Sequence, residues 1–315
     1  MLKQRSIGIS HLDYSLPKAS YSLSQLKQSG KITSNQKLLK DFGFERCFIS
    51  EQHNFISVAL KEIGTSILKS VNLPQAEIGN LFLYSGLSRD AAQSSDLSMF
   101  AYSVTKLHHE LNLSPVANPI KLTEQGCGGT LSMVDMAARL LSSSDSQAAL
   151  CLAADVLPPQ SSREIMYNLI SDGAGGLLVQ KDSPKNKVIS FYQETKSYYW
   201  DTQNHEEELL ATYFPMAERV IKVALEMANL SLEDVIWFVP HNVSQRSWKI
   251  LSELLGVSDK KIWHQNISRL GHTISCDHII NLKDMEQSGE LKSGDILVLF
   301  TFGFGANWTC LILEH

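Results

Sequence analysis

The sequence predicts an α/β fold built in layers from two pseudo-duplicated halves. Three observations point there. Apolar runs rich in β-branched and aromatic residues alternate with segments whose apolar residues recur at helical spacing. A polar Asp-Ser-Pro-Lys-Asn stretch between Lys181 and Lys187 divides the 315 residues into two parts, 1–182 and 183–315, each offering about five strands and several helices. The composition, 43% hydrophobic and 19% charged, suits a globular chain large enough for two domains or one large α/β unit.

Strands are predicted at residues 7–11, 81–85, 119–123, 148–154 and 174–179, and again at 188–193, 235–240, 261–265, 296–302 and 308–314. Each is a short run of the Val, Ile, Leu and Phe type that fits a buried pleat. Helices are predicted at 56–71, 100–111, 131–141, 216–228, 244–255 and 276–285, where apolar residues fall three and four apart. Residues 195–208 are polar and aromatic and read as a surface loop near a binding mouth. Alternation of strands and helices implies stacked sheet and helix layers.

Charge and composition exclude several function classes. The formal net charge is -5, and no Lys/Arg stripe offers a nucleic-acid footprint. The start is too polar for a secretory signal, and no run of about 18 apolar residues suggests a membrane span, so a cytoplasmic protein is expected. The five cysteines are scattered and lack a CxxC, which argues against a disulfide framework or a structural metal site. Cys47, Cys151, Cys276 and Cys310 sit in apolar surroundings and read as small buried hydrophobes.

Cys127 does not fit that pattern. It lies in Glu124-Gln125-Gly126-Cys127-Gly128-Gly129-Thr130, between a strand and a helix with an apolar stripe at Leu131, Val134, Ala138 and Leu141. Flanking glycines permit a sharp turn and close approach of a substrate. The N–H groups at a helix start favour a thiolate, the form that attacks a thioester carbonyl. A glycine-rich turn with an incidental cysteine is the alternative on this segment alone.

Two histidines and a second glycine turn join it. Val235-Ile236-Trp237-Phe238-Val239-Pro240-His241-Asn242 is an apolar strand ending in a histidine, at the strand end where α/β proteins place reacting groups. Gly271-His272-Thr273 follows a predicted strand and precedes a predicted helix. Gly303-Phe304-Gly305 joins two late strands, as a plain hairpin or as a turn that aims an N–H at an oxyanion. His108, His109 and His278 fall on helical patterns and are expected to be surface or packing residues.

These segments, with Gly43-Phe44-Glu45-Arg46 and Ser171-Asp172-Gly173-Ala174-Gly175, resemble β-ketoacyl-acyl-carrier-protein synthase III and its thiolase-superfamily relatives over essentially the whole chain. The resemblance implies a thiolase-like αβαβα five-layer fold and a homodimer, with a heterodimer of related subunits as the alternative. It implies Cys127 as the acyl-accepting nucleophile, His241 as the main acid/base partner and His272 in the place of a family asparagine. The N–H groups of Cys127 and Phe304 would form the oxyanion hole. Asp172 to Gly175 would support the site, and Arg246, Asn242 and Phe100 would contact substrate, Phe100 across the dimer interface.

The resemblance implies no bound cofactor and no metal. Coenzyme A or a phosphopantetheine thioester is substrate, delivered as acyl-CoA or on an acyl-carrier protein. Decarboxylative condensation, in specialised-metabolite, fatty-acid or polyketide synthesis, is the first expectation. Transfer to a hydroxyl or amine without decarboxylation is the alternative, and a non-catalytic subunit of a heteromeric synthase a third. Three departures bear on this: His272 itself, Glu124 near the nucleophile, where a carboxylate pointing inward would oppose a thiolate, and Asp41 in place of a family arginine before Gly43.

Overall fold

The computed structural model describes residues 6–87 and 101–315. The chain runs through β1 (Ile7–Ser15), β2 (Ser20–Ser22), α1 (Leu23–Gln28), α2 (Gln36–Asp41), β3 (Arg46–Phe48), α3 (Phe55–Ser70), β4 (Ile78–Tyr84), α4 (Ser103–Glu110), β5 (Asn118–Leu122), α5 (Gly129–Ser142), β6 (Ala148–Asp155), β7 (Glu164–Ile165), β8 (Asn168–Leu169) and β9 (Gly173–Lys181). It continues through β10 (Lys187–Thr195), α6 (Glu206–Met227), β11 (Val235–Pro240), α7 (Gln245–Leu255), α8 (Gln265–Leu270), α9 (Asp277–Ser288), β12 (Ile296–Gly303) and β13 (Asn307–Glu314).

One pairing pattern is laid down twice. β1 pairs antiparallel with β9, β9 antiparallel with β6, β6 parallel with β4, and β4 parallel with β5. β10 likewise pairs antiparallel with β13, β13 antiparallel with β12, and β12 parallel with β11. In place of a fifth strand, Ile262 makes one parallel bridge to Phe238 of β11. The two series meet where Gly8 lies opposite Lys187. A Cβ on Gly8 would stand 2.7 Å from the Asn186 carbonyl oxygen, so the crossing needs glycine.

Helices fill the spaces around the sheets. α5 touches β4, β6 and β9 on one side and β10 and β13 on the other, and α9 touches β1, β9 and β11. Both therefore lie between the two strand series, in a core that includes Leu131, Val134, Ile279, Leu299 and Leu311. α3 and α4 cover the outer face of the first series, and α6 and α7 that of the second. The result is five layers, helix–sheet–helix–sheet–helix, the arrangement that the sequence resemblance implies. No helix among the described residues is long and apolar enough to cross a membrane.

Three expectations need correction. Residues 261–265 do not form a strand: a 3₁₀ turn covers Asp259–Lys261 and α8 begins at Gln265, because the apolar pair Ile262-Trp263 is too short to extend the sheet. α6 starts at Glu206, not at 216, so the expected loop shortens to two 3₁₀ turns. Its polar first turn and Pro215 concealed it; the Trp308 indole donates to the Tyr213 carbonyl 3.2 Å away, in the turn before that proline. His272 follows helix α8, not a strand. Cys47, Cys151, Cys276 and Cys310 are buried, and Cys127 is half-buried.

Candidate active site

Cys127 sits in a 3₁₀ turn, Gly126–Gly128, that leads directly into α5. The turn is pinned from both strand series. The Tyr84 hydroxyl donates to the Gly126 carbonyl, and Asn307 Nδ2 donates to the Gln125 carbonyl at 3.2 Å. Gly126 has φ +50°, and a Cβ there would stand 2.5 Å from the Phe304 nitrogen. Only glycine lets this turn and the β12–β13 hairpin approach so closely, which places the Phe304 nitrogen against Gly126, the residue before Cys127. Glu124 is exposed and absent from the walls of the cavity that holds Cys127, so its carboxylate does not oppose the sulfur as feared.

The residue against the sulfur is His272, not His241. His272 Nε2 lies 3.4 Å from Cys127 Sγ. Its Nδ1 faces Asp277 Oδ2 at 2.6 Å. Asp277 opens α9 and is fully buried. Its carboxylate also accepts from Thr273 N, Thr273 Oγ1 and Asn242 N, each at 2.6 Å. So many donors, with a helix N-terminus behind them, suit an ionised carboxylate. Burial pushes Asp277 up, but His272 outweighs it and holds the carboxyl at about 2. Burial alone would lower His272; the charges of Asp277 and Cys127 outweigh it and hold the imidazole well above 6.5. Sulfur, imidazolium and carboxylate thus form one hydrogen-bonded chain.

His241 immediately follows β11, and its ring centroid lies 5.2 Å from that of His272. Burial, and then the neighbouring His272 charge, push its pKa well below 6.5, so it is neutral at pH 7. His278, expected on a surface or in packing, is buried on α9 and pairs with the Phe300 carbonyl.

Cys127, His241 and His272 open into one cavity of about 320 Å³. Its walls are mostly apolar and aromatic, with Phe42, Tyr167, Tyr213, Phe302 and Phe304 among them. Arg246, exposed in the first turn of α7, stands in the same lining. A larger cavity of about 580 Å³, beside α3 and α4, touches none of Cys127, His241 and His272. Asn242, expected to contact substrate, lies behind the wall: it is fully buried and its N–H supports Asp277. Phe100 lies outside the described residues. Asp172 is buried against Arg163 and also accepts from Ser50 N and Leu157 N, tying three loops together. Among the described residues no cluster of His, Cys, Asp or Glu could hold a metal ion.

One wall of the cavity is strained. β7 and β8 are joined by Met166-Tyr167 alone, and both have left-handed backbone, φ +46° and +61°. Such a two-residue turn favours Asn-Gly, and a bulky residue there costs about 1–2 kcal/mol. Tyr167 recovers part of this through its edge-on contact with Phe42, 6.3 Å between centroids. Replacing Met166-Tyr167 by Asn-Gly is expected to raise Tm by roughly 2 °C or more, measured by calorimetry; a fall in Tm would show that the turn is not strained.

Comparison with known proteins places this geometry. Residues 225–315 match the family described as 3-oxoacyl-[acyl-carrier-protein (ACP)] synthase III C terminal, and this span carries His241, His272, Asp277 and Phe304. Over that span the chain resembles the β-ketoacyl-acyl-carrier-protein synthase III proteins. The β-ketoacyl-acyl-carrier-protein synthase III of Microcystis aeruginosa is 28% identical over 220 residues, covering 60% of this chain and 65% of that one. The chain thus spans about two thirds of that relative's length. The crystal structure of 3-oxoacyl-acyl-carrier-protein synthase III from Aquifex aeolicus superposes with TM-score 0.83 over 98% of this chain and 100% of that one, at 19% identity. ChlB3, described as an acyltransferase, superposes with TM-score 0.82 over 98% and 97%, also at 19% identity. At that identity the structural likeness is one of fold. Asp277, paired with His272, is the residue at this site that the sequence did not single out. An acid in the first turn after Gly-His-Thr was the available signal, and it reads equally well as a helix cap.

Proposed function

We propose that this protein is an acyltransferase that carries an acyl group as a thioester on Cys127 and passes it to a hydroxyl or amine. The observation that carries this reading is the contact between His272 Nδ1 and Asp277, which fixes the tautomer of the ring. In the first step Cys127 Sγ attacks the carbonyl carbon of an acyl thioester. The N–H groups of Cys127 and Phe304 hold the oxyanion. The bond to the donor sulfur breaks, and that sulfur takes the proton from His272 Nε2. His272 is then neutral, with its remaining proton on Nδ1 facing Asp277, so Nε2 is a base. In the second step the acceptor attacks the acyl-Cys127 carbonyl while Nε2 takes its proton. The Cys127 thiolate leaves, and the starting pair is restored.

The donor is an acyl-coenzyme A or an acyl-carrier protein, and the working unit is a homodimer, as the likeness to synthase III implies. Arg246 at the cavity suits the phosphate of either donor arm. Residues 1–182 supply the nucleophile, and residues 183–315 supply the imidazoles and the hairpin N–H. Decarboxylative condensation is a second reading, favoured by the neutral His241 beside His272. In that reaction an imidazole N–H stabilises the enolate oxygen, and His272 cannot donate from Nε2 once neutral.

A malonyl thioester labelled in its free carboxyl separates the two readings. With the acylated enzyme and a panel of alcohols and amines, the expected result is acyl ester or amide and no labelled carbon dioxide. Release of labelled carbon dioxide, with a β-keto product, would establish condensation instead.

A further inference from the structure

We infer that Asn281 is a positioning residue that holds both imidazoles in register, by gripping the Pro240-His241-Asn242 turn from α9. Asp277 and Asn281 are one helical turn apart and face the same way. Asp277 takes the Asn242 N–H at 2.6 Å. Asn281 Nδ2 donates to the Pro240 carbonyl at 2.7 Å and to Asn242 Oδ1 at 2.9 Å. α9 therefore holds the turn on both sides of His241, while the same helix start holds His272.

The amide of Asn281 has no freedom to choose another pose. Both hydrogens of its Nδ2 are engaged, and its Oδ1 accepts from Asn266 Nδ2 at 2.9 Å. Asn266 is held in turn by Arg269 Nε at 2.8 Å and bonds Asp284 Oδ2 at 2.8 Å. Asn242 and Asn281 are 0% exposed and Asn266 is 1% exposed. A buried amide is costly unless its groups are paired; every side-chain polar atom of Asn281 and Asn266 has a partner, and only Asn242 Nδ2 has none among the described residues. Three in a row, leading from the α8–α9 contact to the carboxylate behind His272, make a rigid rod. Packing alone would have been served by apolar side chains of the same size.

This inference rests on Cys127 as nucleophile and His272 as its partner. The test therefore needs no acyl donor. The rate of Cys127 alkylation by iodoacetamide, followed by peptide mapping at pH 7, reports how well the imidazolium is held against the sulfur. Asn281→Leu keeps the volume and removes the grip; the rate is expected to fall about tenfold or more. Ser190→Ala is the control. It removes another buried hydrogen bond, to the Ala224 carbonyl at 2.6 Å between β10 and α6, and is expected to leave the rate unchanged. Where Asn281→Leu lacks a native near-UV circular dichroism spectrum, Asn266→Ala decides, with a fall of at least threefold expected. A folded variant that reacts as fast as the wild type overturns the inference. A wild-type Cys127 that reacts no faster than in the denatured chain overturns the reading of the nucleophile instead.

Discussion

Replacing Cys127 by alanine is expected to abolish the covalent acyl-enzyme and to lower acyl transfer by roughly 10⁴–10⁶-fold. On mixing with acyl donors, the wild type should gain the mass of one acyl group per chain, and the variant none. The other thiols cannot substitute. Cys47, Cys151, Cys276 and Cys310 are buried. Burial pushes the thiol of Cys47 up to about 12 and raises the other three as well. The thiolate needed for attack is therefore scarce at those sites, and no thioester can reach them. Folding should be preserved, because Cys127 is half-buried and the turn around it is held by Tyr84, Asn307 and the glycines. Acylation that persists in Cys127→Ala would move the nucleophile elsewhere; a wild type that gains no mass with any donor would favour a silent subunit.

Much of this architecture is legible in the sequence because its strands are buried on both faces. Val235–Pro240 is continuous in apolar character and ends where expected. β4, β6, β9, β12 and β13 differ from expectation by a few residues at their ends. α6 fails for a physical reason. Its first turn carries Glu206, Glu207 and Glu208, which suit a helix N-terminus but show no apolar stripe, and Pro215 looks like a stop. The strand expected at 261–265 fails because a single bridge at Ile262 does the work of a full strand.

The site is legible in its ingredients and not in its wiring. Glycines flank Cys127 because the hairpin comes within contact of Gly126, and that need for space is visible as composition. The choice between the two histidines is not. His241 follows the more regular strand, yet it is His272 whose Nε2 lies within hydrogen-bond reach of the sulfur. The pairing of His272 with Asp277 spans five residues through a turn in which Ile274 has φ +57°. Neither helical nor strand periodicity marks that spacing.

Asp277 carries the second large prediction. Asp277→Ala is expected to lower acyl transfer by roughly 10³–10⁴-fold, because His272 loses both its tautomer and the charge that keeps it protonated beside the sulfur. Asp277→Asn tests the charge at nearly constant shape. An amide can still accept from Nδ1, but its NH₂ then meets donors from Thr273, so a loss nearly as large is expected. Stability should respond with a defined pH window. His272 is raised well above 6.5, so its contribution is complete below 6.5 and fades as pH rises through the folded value. Asp277 is lowered from 3.8 to about 2, so its contribution is complete above 3.8 and fades as pH falls through about 2. The Tm difference between wild type and Asp277→Asn should therefore be greatest between about pH 4 and 6.5 and shrink on either side. A difference independent of pH, with transfer reduced less than tenfold, would mean that Asp277 only caps α9 and that His272 acts without it.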